Sequence, residues 1–257
     1  VWLARNAVGI FHAVKIVFQS EFSSTGPYER EFRGIRKFMP VSLEHPGLVR
    51  VLHVGRNDAD AYFFYIMELA DDQQNGQGFD PEKYLAKSIE SELKKRRCLP
   101  VAECVQLGLQ LAEALDFLHA SKLVHRDIKP ANIIFVKGHP KLADIGLVSD
   151  LRGPEVPSTF LGPPGYIPPE GPGSAVADVF SLGKVPYVAW TGKYASDFPE
   201  LPGDLDEKAD VPGLFQLNEI VIKACESDQR RRYRSAAELH AALLRLQQRL
   251  PGGNLGK

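Results

Sequence analysis

Cysteine is scarce and poorly spaced for chemistry. The three thiols, Cys98, Cys104 and Cys225, are odd in number, and no CxxC pair occurs. The sequence therefore carries neither a disulfide framework nor a zinc site, and reduced structural thiols are expected. Long apolar runs are also missing. No stretch reaches the roughly 18 residues of a membrane-crossing helix, and no signal peptide opens the chain. An excess of one charge is missing too: 31 Lys and Arg face 32 Asp and Glu, for a formal charge of −1. That removes the electrostatic case for a general nucleic-acid or anionic-membrane binder. What is present is ordinary for a globular protein, 44% hydrophobic and 25% charged residues over 257 positions. Disordered and collagen-like chains are excluded. The length suits one large domain or two lobes around a cleft. Such a chain buries roughly 70–75% of its unfolded surface and needs no staple. An initiator Met is absent as well. Val1-Trp2-Leu3-Ala4 reads as the inside of a strand, so the first residue looks like a cut edge.

The first third reads as β-structure with one helix. Phe11–Phe18 (FHAVKIVF) is a strong strand. A period of two sets Ala13, Lys15 and Val17 on one face, an unusual place for a lysine. A helix is expected over 27–39, with Glu31, Ile35 and Phe38 on one face. Glu29 shares its face with Arg33 and Arg36, a solvent-type stripe, so Glu31 is the carboxylate directed inward. Strands are expected over 48–54 and 61–68, with a turn at Gly55-Arg56-Asn57-Asp58. Residues 71–80 (DDQQNGQGFD) read as a loop. Helices then follow over 84–97 and 101–120. The second carries two apolar stripes (Val105, Leu109, Ala112, Leu115 and Leu107, Leu111, Ala114, Leu118), so it is buried over much of its circumference. Residues 152–174, rich in Pro and Gly, form a long loop inside the domain, a frequent sign of function. Helices resume over 176–191, 214–226 and 235–249.

Chemistry concentrates in Val124-His125-Arg126-Asp127-Ile128-Lys129-Pro130-Ala131-Asn132. An Asp, a Lys two residues on and an Asn five residues on place three polar groups at one loop between apolar flanks. Asp144 follows twelve residues after Asn132. An amide oxygen and a carboxylate are hard ligands that suit Mg²⁺, a cation usually shared with phosphate oxygens.

These motifs resemble the serine/threonine protein kinases, most closely the bacterial Hanks-type members. HRDIKPAN resembles the family's catalytic loop, Asp144-Ile145-Gly146 its magnesium motif, and Ala13-Val14-Lys15 its strand lysine motif. His45-Pro46 follows the helix. Pro168-Pro169-Glu170 resembles the close of the activation segment. Asp178 to Gly183 resembles the buried helix that anchors the catalytic loop, and Arg232 stands where the family pairs an arginine with that Glu170. The order of the motifs spans nearly the whole chain.

The resemblance implies an α+β, two-lobed fold: residues 1–70 as a small antiparallel N-lobe with one helix, and 71–257 as a larger, mainly helical C-lobe. It implies ATP- and Mg²⁺-dependent phosphorylation (Mn²⁺ as a substitute) of Ser or Thr hydroxyls on proteins. Lys15, oriented by Glu31, would hold the α- and β-phosphates. Ala13 would line the adenine, which meets the backbone of Glu68 to Ala70, with Met67 as gatekeeper. Asp127 would accept the substrate proton, Lys129 would neutralise the γ-phosphate, and Asn132 and Asp144 would bind the metal. Lys129 points to Ser/Thr rather than Tyr acceptors, and with Glu170 it argues against small-molecule kinases. Arg126 suggests an activation segment ordered by phosphorylation at Ser149, Ser158 or Thr159.

The implied setting is cytoplasmic, with no nucleic-acid partner, no membrane segment in this chain, dimerisation for autophosphorylation, and tethering through regions beyond Lys257. Four departures stand out. Ile145 replaces the motif's Phe. Pro163 replaces a Thr after Gly162. Pro186 falls inside a helix and is expected to kink it. The glycine-rich loop over the phosphates is missing, as if the chain began just after it. The rival reading is a pseudokinase, a scaffold with the fold and little turnover.

Overall fold

The computed structural model describes residues 1–144, 149–150, 165–203 and 211–250, the side chains of 149–150 and 211–212 excepted. Four strands, β1 (Trp2–Arg5), β2 (Phe11–Phe18), β3 (Val51–Asn57) and β4 (Tyr62–Met67), pair antiparallel in the order β1-β2-β4-β3. β2 meets β4 in the register Ala13↔Met67, Lys15↔Tyr65 and Val17↔Phe63. Helix α1 (Thr25–Glu44) lies on this sheet through buried Tyr28, Ile35 and Phe38, with the Tyr28 and Phe32 rings each 5.2 Å from Phe63.

α1 runs beyond the expected 27–39, past Pro40. Its last turn is held from outside: the buried Ser42 hydroxyl donates to Met39 O (2.7 Å) and accepts from the Val51 N–H (3.0 Å). The expected strand over 48–54 and its turn are shifted. β3 continues through Gly55 to Asn57, and Ala61, at φ 51°, sits in the turn. Gly55 serves packing rather than turning, because a Cβ there would lie 2.5 Å from the Phe64 ring. The Asn57 side chain takes the turn instead, accepting from the Ala59 N–H at 3.0 Å.

The helical part comprises α2 (Ile89–Arg96), α3 (Val101–Ala120), α4 (Ala175–Thr191), α5 (Val211–Ala224) and α6 (Ala236–Gln247), with short strands β5 (Leu123–Val124), β6 (Ile133–Val136), β7 (His139–Leu142) and β8 (Ser149–Asp150). Every residue of the two α3 stripes is buried. Close approach is built from glycine: a Cβ on Gly183 would meet the Ala224 Cβ at 2.6 Å where α4 crosses α5.

The expected helix over 84–97 begins only at Ile89, behind a Ser88 capping box. Residues 84–88 spend their backbone elsewhere. The Leu85 N–H goes to the Asp72 carboxylate (3.0 Å), the Lys87 N–H to Asp71 O (2.7 Å), and Lys87 O receives the Phe135 N–H (3.0 Å). α4 is continuous through Pro186 and ends at Gly192, whose φ of 69° suits a residue without Cβ.

One hydrophobic cluster joins the sheet to the helices. The segment after α1 stitches them further, with the Leu142 N–H donating to Gly47 O and the Val49 N–H to Leu142 O. The antiparallel sheet with its helix and the larger helical part make the two-lobed kinase fold. Among the described residues, no helix is long and apolar enough to cross a membrane, and no His/Cys/Asp/Glu group could hold a metal by itself.

Candidate active site

A cleft of about 540 Å³ opens between β2, β4 and the helical part. Ala13, Lys15, Met67, Glu68, Ala70, Asn132 and Asp144 all line it. Glu31, Asp127 and Lys129 do not. Glu31 reaches the cleft through Lys15, and the other two connect to it through the bond between Asn132 and Asp127.

On the sheet side, strand alternation turns Lys15 inward beside Val17. Its Nζ lies 3.0 Å from Asp144 Oδ1 and 3.8 Å from Glu31 Oε1. Burial pulls the Lys15 amine down, but Tyr65, Asp144 and Glu31 outweigh it and hold the ammonium above its ordinary value. Burial pushes Glu31 up to about 7, against the pull of Lys15. Burial also works against the Asp144 carboxylate, yet Lys15 outweighs it and keeps its pKa below the ordinary range. Asp144 has φ 56°, a left-handed backbone that few side chains adopt. Glu29, by contrast, faces outward and takes a bidentate contact from Arg56 of β3 (2.8 and 3.0 Å).

On the opposite side, the loop after β5 is fixed by α4. The buried Asp178 carboxylate accepts the His125 and Arg126 N–H groups (2.8 Å each) and lies 2.9 Å from His119 Nε2. Burial pushes the His125 imidazole down, so it is neutral and its Nδ1 can accept from the Asp127 N–H at 3.4 Å. Arg126 takes φ 71°, which redirects the chain at Asp127.

Asp127 Oδ2 then accepts from Lys129 Nζ (2.8 Å) and Asn132 Nδ2 (2.7 Å). Asn132 Nδ2 also donates to Asp127 O (2.9 Å), which leaves its amide oxygen as the atom available to a cation. The Ala143 N–H donates to Asn132 O at 2.8 Å, so Asp144 follows directly on this loop. The two hard oxygen donors thus sit on one edge of the cleft, a set that fits a divalent cation shared with phosphates.

At the exit of β4, Met67 is buried and Glu68 turns its carboxylate away, to Lys141 Nζ (2.6 Å) and the Arg50 N–H (2.8 Å). Tyr84 Oη donates to Ala70 O (3.1 Å). Among the described residues, neither the Glu68 carbonyl nor the Ala70 N–H has a partner, so both remain for a planar heterocycle. The pairing of Arg232 with Glu170 is present: Nη2 to Oε2 is 2.9 Å, and a second contact joins Nη1 to Oε1. Ile145, Gly146, Ser158, Thr159, Gly162 and Pro163, and the side chain of Ser149, lie outside the described residues.

Sequence reasoning missed Tyr65. Its hydroxyl is buried with no hydrogen-bond partner among the described residues, and its ring centroid is 5.9 Å from Lys15 Nζ. The signal was available, since alternation in β4 sets Phe63, Tyr65 and Met67 on one face, opposite Val17, Lys15 and Ala13. Lys141, which secures Glu68, carried no sequence signal.

The protein kinase domain family matches residues 1–249 of this chain. The serine/threonine-protein kinase PknA of Mycobacterium tuberculosis is 32% identical over 248 residues, covering 86% of this chain and 53% of that protein. The probable serine/threonine-protein kinase CPE1738 of Clostridium perfringens is 28% identical over 246 residues, 89% of this chain and 33% of that protein. The calcium/calmodulin-dependent protein kinase type II of Caenorhabditis elegans is 30% identical over 198 residues, 73% of this chain and 25% of that protein. This chain therefore spans between a quarter and about half the length of these relatives. By its fold, its ordered motifs and this family match, the chain belongs to the protein kinase domain family.

Proposed function

We propose that the chain is a catalytically competent serine/threonine protein kinase that uses ATP with Mg²⁺ or Mn²⁺. The observation that carries this reading is the hydrogen-bonded set Asp127-Lys129-Asn132, joined by the Asn132–Ala143 bond to an Asp144 already paired with Lys15. Phosphoryl transfer asks a protein mainly for positioning and charge neutralisation. Lys15 supplies a fixed cation for the α- and β-phosphates, with Glu31 and Tyr65 beside it. Asn132 and Asp144 would hold the metal, which supplies charge neutralisation on the phosphate oxygens. Among the described residues, Lys129 and Asn132 engage Asp127 Oδ2, which leaves Oδ1 for the acceptor hydroxyl.

As the acceptor oxygen bonds to the γ-phosphorus, its proton passes to Asp127, the bond to the β-phosphate oxygen breaks, and ADP leaves. Lys129 stands where the transferred charge develops and favours the short Ser and Thr acceptors. Ala13 and Met67 would bracket the adenine, with the Glu68 carbonyl and Ala70 N–H as its polar contacts. The proposed boundary of the lobes lies between residues 70 and 71, and the proposed setting for phosphorylation of protein substrates is the cytoplasm.

Among the described residues, Arg126 Nε is buried without a partner, a place for an incoming anion. We infer that phosphorylation of Ser158 or Thr159 supplies it and raises activity; a Ser158/Thr159 double alanine variant with full activity would refute this. The pseudokinase reading is opposed by the presence of the whole set. The test is ADP release with casein as acceptor, in Mg²⁺ or Mn²⁺. Turnover by wild type and its loss in Asp127→Asn support the reading; no turnover with either metal supports the pseudokinase.

A further inference from the structure

A second cavity, of about 580 Å³, lies on the helical part beside the catalytic loop. It adjoins the site above: Ala131 lines both cavities, and Lys129 of the catalytic loop forms part of the new wall. Its floor is apolar, with Leu93 of α2, Val188 of α4 and Tyr166, while Tyr194 stands at the rim 80% exposed. The rim is preorganised. Gly165 has φ 92°, and a Cβ there would collide with the backbone of Ala195 and Ser196, so the segment leading to Tyr166 seats directly on the loop after α4.

Charge distinguishes this groove from the neutral molecule around it. Its lining carries Lys94, Arg97, Lys129 and Lys193 against a single acid, Glu90. Glu90 is already paired with Lys94 at 2.7 Å, and Lys193 with Glu200 at 3.2 Å. Arg97 is exposed at the end of α2, and no carboxylate pairs with it among the described residues.

We propose that this groove selects the acceptor polypeptide, taking an acidic side chain onto Arg97 and an apolar one between Leu93, Val188 and Tyr194. The proposal rests on the kinase reading, since only a chain carrying the acceptor hydroxyl has reason to run from Asp127 past Lys129 into it. Lys129 is paired with Asp127 at 2.8 Å, so Arg97 carries the unbalanced charge; a basic flanking sequence is repelled by it, and the groove also excludes. The contacts are solvent-facing, so the preference is moderate and falls as salt rises.

The experiment uses peptides with one Ser acceptor, flanked on either side by Glu-Leu-rich or Lys-Leu-rich sequence. Their Ala-for-Ser counterparts are labelled for fluorescence anisotropy, so binding is read without turnover. The acidic peptide should bind about fivefold more tightly and show a correspondingly lower KM, as one or two screened surface contacts allow. Arg97→Glu should reverse the order, and Arg97→Gln should fall between. Transfer with equal KM for acidic and basic peptides overturns the groove and leaves the kinase reading standing. Selective binding without any transfer overturns turnover and leaves the groove standing. Indifferent binding without transfer overturns both, and a preference unchanged in Arg97→Glu overturns the assignment to Arg97.

Discussion

Glu31 and Glu29 are two positions apart on one helix, yet they serve different ends. Helical periodicity places Glu31 with Ile35 and Phe38, and the structure puts it 3.8 Å from Lys15, while Glu29 pairs with Arg56 at the surface. Burial lifts Glu31 to about 7, so it holds a proton in the folded state that the unfolded chain releases near 4.5. Its contribution to stability is fully present below 4.5 and is lost as pH rises through about 7. Urea unfolding of wild type and Glu31→Gln should therefore diverge in favour of the variant between pH 5 and pH 8; a constant difference contradicts the assignment. At the same scale, Asp127→Asn should lower kcat by about 10²–10⁴ while the KM for ATP changes little, measured by ADP release. The inward placement of Glu31 was legible from helical spacing, whereas the role expected of Asp127 came from the motif resemblance. Tyr65 was missed although the alternation of β4 signalled it, and Lys141 was not legible, since its significance comes from a contact 73 positions away in the chain.

Among the elements, strong periodic patterns were read correctly and boundaries set by capping or tertiary contacts were not. β2 and α3 fall where their patterns predict. The start of α2 does not, because Asp72 and Phe135 claim the backbone of residues 84–88. Gly55 misled in the same way: glycine suggests a turn, but here it clears space for Phe64. The α4–α5 crossing gives a direct test. Gly183→Ala places a Cβ against Ala224 and Cys225 and should cost about 1–3 kcal/mol by urea unfolding; an unchanged midpoint would show that the helices separate freely. α4 also carries Asp178. Asp178→Asn leaves too few acceptors for two N–H groups and His119, and should destabilise by about 2 kcal/mol while lowering kcat more than it raises the KM for ATP.

For the whole molecule, near-zero net charge argued against a broadly basic surface without bearing on small anionic ligands. The charge is instead distributed: Lys15 faces one cleft, and Lys129, Arg97 and Lys193 face a groove beside it. The two-lobed plan was legible because its motifs come in order along the chain, whereas the groove was not, since α2, α4 and the segment before Glu170 meet only on folding. The central claim is that these lobes form a working transfer site for Ser and Thr. Its most direct test is incubation of the chain with γ-labelled ATP and Mg²⁺ and a protein acceptor, followed by acid hydrolysis and separation of the phosphoamino acids. The account predicts labelled phosphoserine or phosphothreonine from wild type and none above background from Asp127→Asn. Unlabelled acceptor with wild type, equal labelling by the variant, or label recovered as phosphotyrosine would contradict it.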